Sequence, residues 1–142
     1  MTSSLALIAR RTIRAKLERV FAAWTEPEQL RAWWGPRPVT CSDAVVDLRV
    51  GGCYRIANAL PDGRTLTIYG EFRTVEPPRK LVYTWQMDDG RSECSLVTVT
   101  FTPRADGTEV VVVHENVPTE AMRESHERGW RGCLDALESH SA

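Results

Sequence analysis

The spacing of apolar residues changes twice along this chain, and the order of the two periods restricts the folds that it can adopt. Apolar residues recur with helical spacing over 15–34, alternate with polar ones over 39–115, and return to helical spacing after Pro118. An alternating pattern is typical of strands that bury one face. The pattern predicts an α+β fold in which helices cover the apolar face of an antiparallel sheet.

The N-terminal part predicts one strand followed by two short helices. Leu5 to Ile13 form the predicted strand, and Ala15 to Trp24 carry a single apolar stripe that indicates a first helix. Thr25 and Glu28 have the spacing of a capping box. A second helix is therefore predicted from there to about Trp34.

Turn residues divide the alternating segment into strands. Gly51-Gly52, Pro61-Asp62-Gly63, Asp88-Asp89-Gly90 and Asp106-Gly107 supply residues that tolerate positive φ or preset a turn. With the first strand, they predict an antiparallel meander of six to seven strands. The segments between the turns are Val39–Val50, Cys53–Ala59, Thr65–Val75, Lys80–Met87, Glu93–Thr102 and Thr108–Glu115.

A long amphipathic helix is predicted to end the chain. Thr119 is its expected N-cap, and about twenty residues follow it. Gly129 and Gly132 are costly inside a helix, which suggests that its backbone closely approaches the sheet or a bound molecule. The apolar stripe consists of Met122, His126, Gly129, Trp130, Cys133, Leu134 and Leu137.

Length and charge argue against several classes of protein. The 142 residues, 42% of them hydrophobic, are predicted to form one domain, 1–142, whose core requires no cofactor or metal. With 18 Lys and Arg against 19 Asp and Glu, the net charge of -1 disfavours nucleic acid or an anionic membrane as a partner. The sequence shows neither a signal-peptide pattern nor a membrane-spanning run, so we expect a cytoplasmic protein with no membrane insertion. We also expect a monomer or weak homodimer.

Motifs of the common reaction types are missing from the sequence. It has no nucleophile elbow, dinucleotide or phosphate loop, or zinc-protease helix, so no catalytic residue, metal or cofactor is predicted. A reaction would need a buried acid-base group such as His114, Glu115 or Tyr83. His114 is predicted to be a core histidine, although His126 could face it across the gap between helix and sheet and create a shared polar site.

Two other groups of polar residues have alternative interpretations. The four cysteines are far apart and are predicted to be buried, reduced thiols. Asp47, Arg49 and Arg55 form the densest polar cluster among the strands. They are either a solvated edge with a weak ion pair or a charged rim at a cavity mouth, where an arginine would attract a carboxylate.

Aromatic residues supply the more informative signal about function. The chain has five Trp, three Tyr and three Phe, concentrated at predicted inward positions. They either fill a core or line a cavity that holds an apolar or aromatic ligand. The candidate cavity residues are Trp33, Trp34, Tyr54, Phe72, Tyr83, Trp85, Phe101, Trp130 and Leu134, with the histidines His114 and His126.

Several short motifs together resemble one known family. They include Val20-Phe21-Ala22-Ala23-Trp24-Thr25-Glu26-Pro27, Trp33-Trp34-Gly35-Pro36, Asp47-Leu48-Arg49-Val50-Gly51-Gly52, Leu81-Val82-Tyr83-Thr84-Trp85 and Gly129-Trp130. This combination is similar to homologues of the activator of the heat-shock protein 90 ATPase. The family belongs to the START-related and birch-pollen-allergen-like (SRPBCC) superfamily.

The resemblance implies a helix-grip fold, in which a curved sheet wraps around the C-terminal helix and usually encloses a hydrophobic cavity. Because this fold serves lipid carriers, cyclases and co-chaperones alike, it does not define the activity. The leading hypothesis is a module that binds a hydrophobic small molecule such as a lipid. The alternatives are a co-chaperone-like interaction protein, linked to the stress response and docking on a chaperone, and an aromatase- or cyclase-type enzyme.

Overall fold

The computed structural model describes residues 5–35, 37–88 and 94–141. Its elements are β1 (Leu5–Ile13), α1 (Leu17–Thr25), α2 (Pro27–Trp33), β2 (Thr40–Val46), β3 (Cys53–Ala59), β4 (Thr65–Glu76), β5 (Lys80–Met87), β6 (Ser95–Arg104), β7 (Gly107–Val117) and α3 (Glu120–Ser141). None of the helices within these ranges combines the length and apolar character needed to cross a bilayer. The predicted α+β fold, with its two short helices and long last helix, is confirmed.

The seven strands form one antiparallel sheet in the order β1-β7-β6-β5-β4-β3-β2. The pairing register shifts between Leu5 and Leu7 in β1, between Cys41 and Asp43 in β2, and between Phe72 and Thr74 in β4. Such irregularities bend strands and increase their twist. The sheet is accordingly curved.

Alternating burial on the central strands explains why one sheet face carries the core. In β6, Val97, Val99 and Phe101 are buried, whereas the residues between them are only half-buried. Val97 pairs with Tyr83 on one side and with His114 on the other, so buried side chains form continuous rows across the sheet. Fully burying one such aliphatic side chain stabilises a fold by about 1.5–3 kcal/mol.

Helix α3 begins as predicted and packs across the sheet. The backbone N–H of Met122 donates to Thr119 Oγ1 at 3.2 Å, which confirms Thr119 as the capping residue. The helix contacts β1, β7 and α2. Arg11 of β1 also reaches Asp135 and Glu138 of α3, at 2.6 and 2.9 Å.

The predicted capping box of α2 is wrong. Thr25 is still part of α1, and its hydroxyl donates to the carbonyl oxygen of Phe21 at 2.9 Å. Glu26 is the residue before α2 and makes no side-chain cap hydrogen bond. The reason is Pro27, which is suited to the first helical position and so sets the helix start.

Strand boundaries lie within two residues of the predictions except at the end of β2. β2 ends at Val46 instead of Val50, because the chain turns through Gly51, whose φ is +85°. The predicted turn at 88–90 and the predicted strand start at Glu93 involve residues outside the described ranges.

The prediction of four buried thiols is correct for two of them. Cys41 and Cys133 are buried, while Cys53 and Cys94 are exposed, and all four are free. Cys53 is exposed because it alternates with the buried Tyr54 on β3.

Gly70 of β4 allows a close approach between neighbouring strands. A Cβ at this position would lie 2.0 Å from the carbonyl oxygen of Thr84. The same oxygen accepts a hydrogen bond of 2.6 Å from the buried hydroxyl of Tyr54. Backbone atoms cannot move aside as a flexible side chain can, so this position requires glycine.

We expect Gly70→Ala to lower the free energy of unfolding by about 2 kcal/mol or more, because the new methyl group overlaps the backbone of Thr84. Urea denaturation followed by circular dichroism measures the change. Gly129→Ala is the matched control: its Cβ meets no atom within 4 Å, and alanine favours the helix by up to about 1 kcal/mol. A Gly70→Ala protein as stable as the parent would contradict the close approach.

Candidate functional site

A cavity of about 1260 Å³ lies between α3, α2 and the strands β2 to β5, and it is partly open to solvent. The end of α2 and the following segment form one wall, and α3 forms another. Five of the predicted residues line it, namely Trp33, Trp34, Trp85, His126 and Trp130. The other lining residues are Arg31, Ala32, Gly35, Arg37, Val39, Thr40, Cys41, Asn58, Leu60, Leu66, Ile68, Met87, Ser125, Arg128, Gly129, Arg131, Gly132, Cys133, Asp135, Ala136, Ser139 and His140.

Three indoles converge on this cavity from three different elements. The ring of Trp130 on α3 lies 5.7 Å from that of Trp34, directly after α2, and 5.3 Å from that of Trp85 on β5. Trp34 Nε1 donates to Asn58 Oδ1 at 3.0 Å, and Asn58 Nδ2 in turn donates to the carbonyl oxygen of Leu66 at 3.0 Å. These hydrogen bonds fix the orientation of the Trp34 ring and leave its apolar faces for packing.

Three other predicted residues close a separate, much smaller void. Tyr54, Phe72 and Tyr83 border a space of about 20 Å³ that the indoles of Trp34 and Trp85 also border. Their rings contact one another, with centroids 5.0 Å apart for Tyr54 and Tyr83. This volume is close to the space of a single water molecule, so the three residues act as packed core.

Phe101 and Leu134 are almost completely buried and line neither space. Phe101 packs edge-on against Phe21, with centroids 5.3 Å apart. Both residues support the elements that carry the cavity instead of forming its surface.

The two predicted histidines lie together, as the sequence suggested they could. The rings of His114 on β7 and His126 on α3 stack with centroids 4.5 Å apart. Trp130 Nε1 donates to His114 Nδ1 at 3.0 Å, and His114 Nε2 lies 2.7 Å from Ser95 Oγ. An indole nitrogen can only donate, so Nδ1 must accept, and the bond favours the neutral ring with its proton on Nε2.

His126 and His114 differ in their access to the cavity. His126 is half-buried and lines the cavity, whereas His114 is fully buried behind Trp130 and Trp85. The remaining acid-base candidate on this strand, Glu115, is half-buried and lies outside the cavity lining.

Trp85 carries a buried donor for which the described residues supply no acceptor. Its Nε1 has no hydrogen-bond partner within the described part of the chain, and the residue is 5% exposed. An unsatisfied buried N–H costs roughly 1–3 kcal/mol. An acceptor brought in by a bound molecule or by water would remove that cost.

Burial holds two thiols at the cavity, and two phenols of the packed core beside it, in their protonated forms. Loss of solvation raises the pKa of Cys133 to about 12, although a hydrogen bond with the backbone at Gly35 opposes this effect. Burial likewise raises the pKa of Cys41, Tyr54 and Tyr83. Protonated thiols are poor nucleophiles at neutral pH, so the cysteines at this cavity have no activated character.

The charged rim of the cavity was missed by the sequence analysis. Among the described residues, four arginines line it, Arg31, Arg37, Arg128 and Arg131, against one carboxylate, that of Asp135. They come from two distant segments of the chain, and no local pattern showed that these segments meet.

The polar cluster considered earlier lies elsewhere. Arg49 pairs with Asp47 at 2.9 Å, both side chains are well exposed, and neither lines the cavity, in agreement with the interpretation as a solvated edge. Among the described residues, no three His, Cys, Asp or Glu side chains are grouped closely enough to hold a metal ion.

Comparison with known proteins identifies the family. Residues 14–142 match the model of the Activator of Hsp90 ATPase homolog 1-like proteins. No curated protein matches this chain.

Several solved structures share the fold along nearly the whole chain. A protein from Chromobacterium violaceum is 27% identical with a TM-score of 0.87, and the match covers 96% of each chain. A protein from Rhodobacter sphaeroides is 28% identical with a TM-score of 0.81, covering 95% of this chain and 87% of that one. The AHSA1-like protein from Aeromonas hydrophila is 27% identical with a TM-score of 0.77, covering 96% and 91%. The chain therefore belongs to the family of proteins similar to homologue 1 of the activator of the Hsp90 ATPase, within the SRPBCC superfamily.

Proposed function

We propose that this protein binds an apolar or aromatic small molecule in the cavity between α3, α2 and the sheet. The observation that carries the proposal is the cavity itself, about 1260 Å³ with the indoles of Trp33, Trp34, Trp85 and Trp130 in its walls. Ligand pockets are typically about 300–1,000 Å³ and are mostly apolar with a few polar groups that orient the ligand. This cavity is large enough for a ligand of several rings.

The helix that closes the cavity supports this proposal. A Cβ at Gly129 would meet no atom within 4 Å, so the glycine does not serve the close approach to the sheet that its presence in a helix suggested. It lines the cavity together with Gly132. The two glycines keep a helix face free of side chains where a ligand would lie, at a cost of up to about 1 kcal/mol each in helix stability.

A few polar side chains belong to the cavity wall. His126 borders the cavity from α3, and Asn58 borders it from β3. The buried Nε1 of Trp85 adds a donor that has no acceptor among the described residues. A ligand with an acceptor such as a carbonyl oxygen would suit such a wall.

The two alternatives remain predictions. Docking on a chaperone is suggested by the family alone, and binding to purified Hsp90 with a measured ATPase rate would test it. An enzyme would require an activated group at the cavity, whereas Cys41 and Cys133 are held as thiols there. The thiols at the cavity therefore give no support to nucleophilic catalysis.

One prediction from this proposal concerns blocking of the cavity. We expect the uncharged fluorophore N-phenylnaphthylamine to bind the parent protein, with enhanced emission. Gly129→Leu should weaken this binding at least about tenfold, because the new side chain occupies the space next to the indoles. Fluorescence titration measures the dissociation constants.

Ala121→Leu is the matched control for this experiment. It adds the same side chain to the same helix, at an exposed position outside the cavity lining, and should leave binding unchanged. Equal binding by both variants and the parent would show that the probe binds elsewhere and would contradict the proposal.

Another prediction concerns alkaline pH. In the unfolded chain the Cys133 thiol ionises with a pKa near 9.0, but burial raises the pKa in the folded protein to about 12. The contribution of the protonated thiol to the free energy of unfolding is therefore fully present below pH 9 and is lost as pH rises toward 12. Between these limits the free energy of unfolding should fall by about 1.4 kcal/mol per pH unit from this group.

Urea denaturation at several alkaline pH values measures the slope. Cys133→Ala should make the fall in the free energy of unfolding shallower by about 1.4 kcal/mol per pH unit. The control is Leu134→Val, at the neighbouring buried position, which should lower the free energy of unfolding equally at every pH. Parallel declines for Cys133→Ala and the parent would show that the thiol is not held protonated.

A further inference from the structure

We infer that the ligand of this cavity is an organic anion, whose apolar body lies along the indoles and whose acidic group meets the arginines at the opening. The inference rests on the proposed function and adds the charge of the ligand to it. Within the part of the chain that the structure describes, four arginines line the cavity against one carboxylate, although the net charge of the chain is only -1. The positive charge is thus a property of this site and not of the whole surface.

The carboxylate of Asp135, the one carboxylate among the described lining residues, already has a partner outside the cavity. Asp135 pairs at 2.6 Å with Arg11 of β1, which does not line the cavity. Of the four lining arginines, Arg131 is the one with a carboxylate partner among the described residues, namely Glu127 at 3.1 Å. Among the described residues, Arg31, Arg37 and Arg128 form no ion pair, so three guanidinium groups remain available to an incoming anion.

The arginines border the opening from two elements. Arg31 belongs to α2 and Arg37 follows that helix, whereas Arg128 and Arg131 belong to α3. An anion entering between these elements would therefore meet guanidinium groups from both walls. Arginine suits this role because its planar group can donate two parallel hydrogen bonds to a carboxylate, sulfonate or phosphate.

The apolar walls strengthen the effect of these charges. All four arginines are exposed, and isolated surface charges interact weakly with anions because water and salt screen them. A cleft that is lined by charges of one sign and has walls of low dielectric constant concentrates the electric field of those charges. Burial is the main influence on the cavity thiol of Cys41 and raises its pKa, a hydrogen bond with the backbone at Asp43 opposes this effect, and the charge of Arg31 also lowers the pKa, to a smaller extent.

The test uses displacement of N-phenylnaphthylamine by three competitors that share a naphthyl ring. Naphthylacetate carries a carboxylate, naphthylethanol is uncharged, and naphthylethylamine is a cation. For the parent protein we expect naphthylacetate to bind about fivefold more tightly than the alcohol and the amine to bind most weakly. Raising the salt concentration should reduce the advantage of the carboxylate.

Arg31→Gln combined with Arg128→Gln should remove most of the preference for naphthylacetate over naphthylethanol. The affinity for naphthylethanol should stay within about twofold of that of the parent protein, since neither arginine forms an ion pair with a described carboxylate. The control pairs Arg14→Gln with Arg19→Gln, two exposed arginines outside the cavity lining, and gives the same change in net charge. It should retain the preference of the parent.

The outcomes separate this inference from the proposed function. If the fluorophore binds and Gly129→Leu blocks it, but the three competitors bind equally well, the cavity binds ligands and the inference about their charge is wrong. An equal loss of preference in both double variants would also overturn the inference, because it would assign the effect to net charge. If the fluorophore does not bind the parent at all, the proposed function fails and the inference fails with it.

Discussion

The structure depends on one indole at the centre of the long helix. Trp130 is 2% exposed, stacks nearly parallel to Trp24 of α1 at 6.0 Å, and contacts the rings of Trp34 and Trp85. Its N–H donates to His114 Nδ1 on β7, so the same side chain provides both apolar contact and a directional bond. Trp130 thus connects α3 with the two short helices and with the sheet, and it also lines the cavity.

Much of the fold could be predicted because its signals are local. Alternating apolar residues, glycine-containing turns and a helical stripe each depend on neighbours in sequence, and the strand limits of Leu5–Ile13, Cys53–Ala59 and Lys80–Met87 were obtained in this way. The start of α2 was predicted wrongly because two local signals compete there. Pro27 sets the first helical position, and Thr25 bonds back into the preceding helix.

The site was harder to predict, because it depends on which distant segments meet. Inward aromatic residues were identified correctly as buried, but burial alone does not separate Trp34, at the cavity, from Tyr54 and Phe101, in the packed core. Exposed arginines in two helices gave no signal at all in the sequence, since each resembles an ordinary solvated residue. Only their common position at the opening distinguishes Arg31 and Arg128.

The irregular register of β2 has a consequence for how molecules of this protein meet one another. β2 is an edge strand of the sheet, has seven residues, and its pairing shifts between Cys41 and Asp43. A short, bent edge that also packs against α2 offers few regularly spaced N–H and C=O groups to a strand from another copy. This irregularity therefore protects a sheet rich in valine from edge-to-edge aggregation.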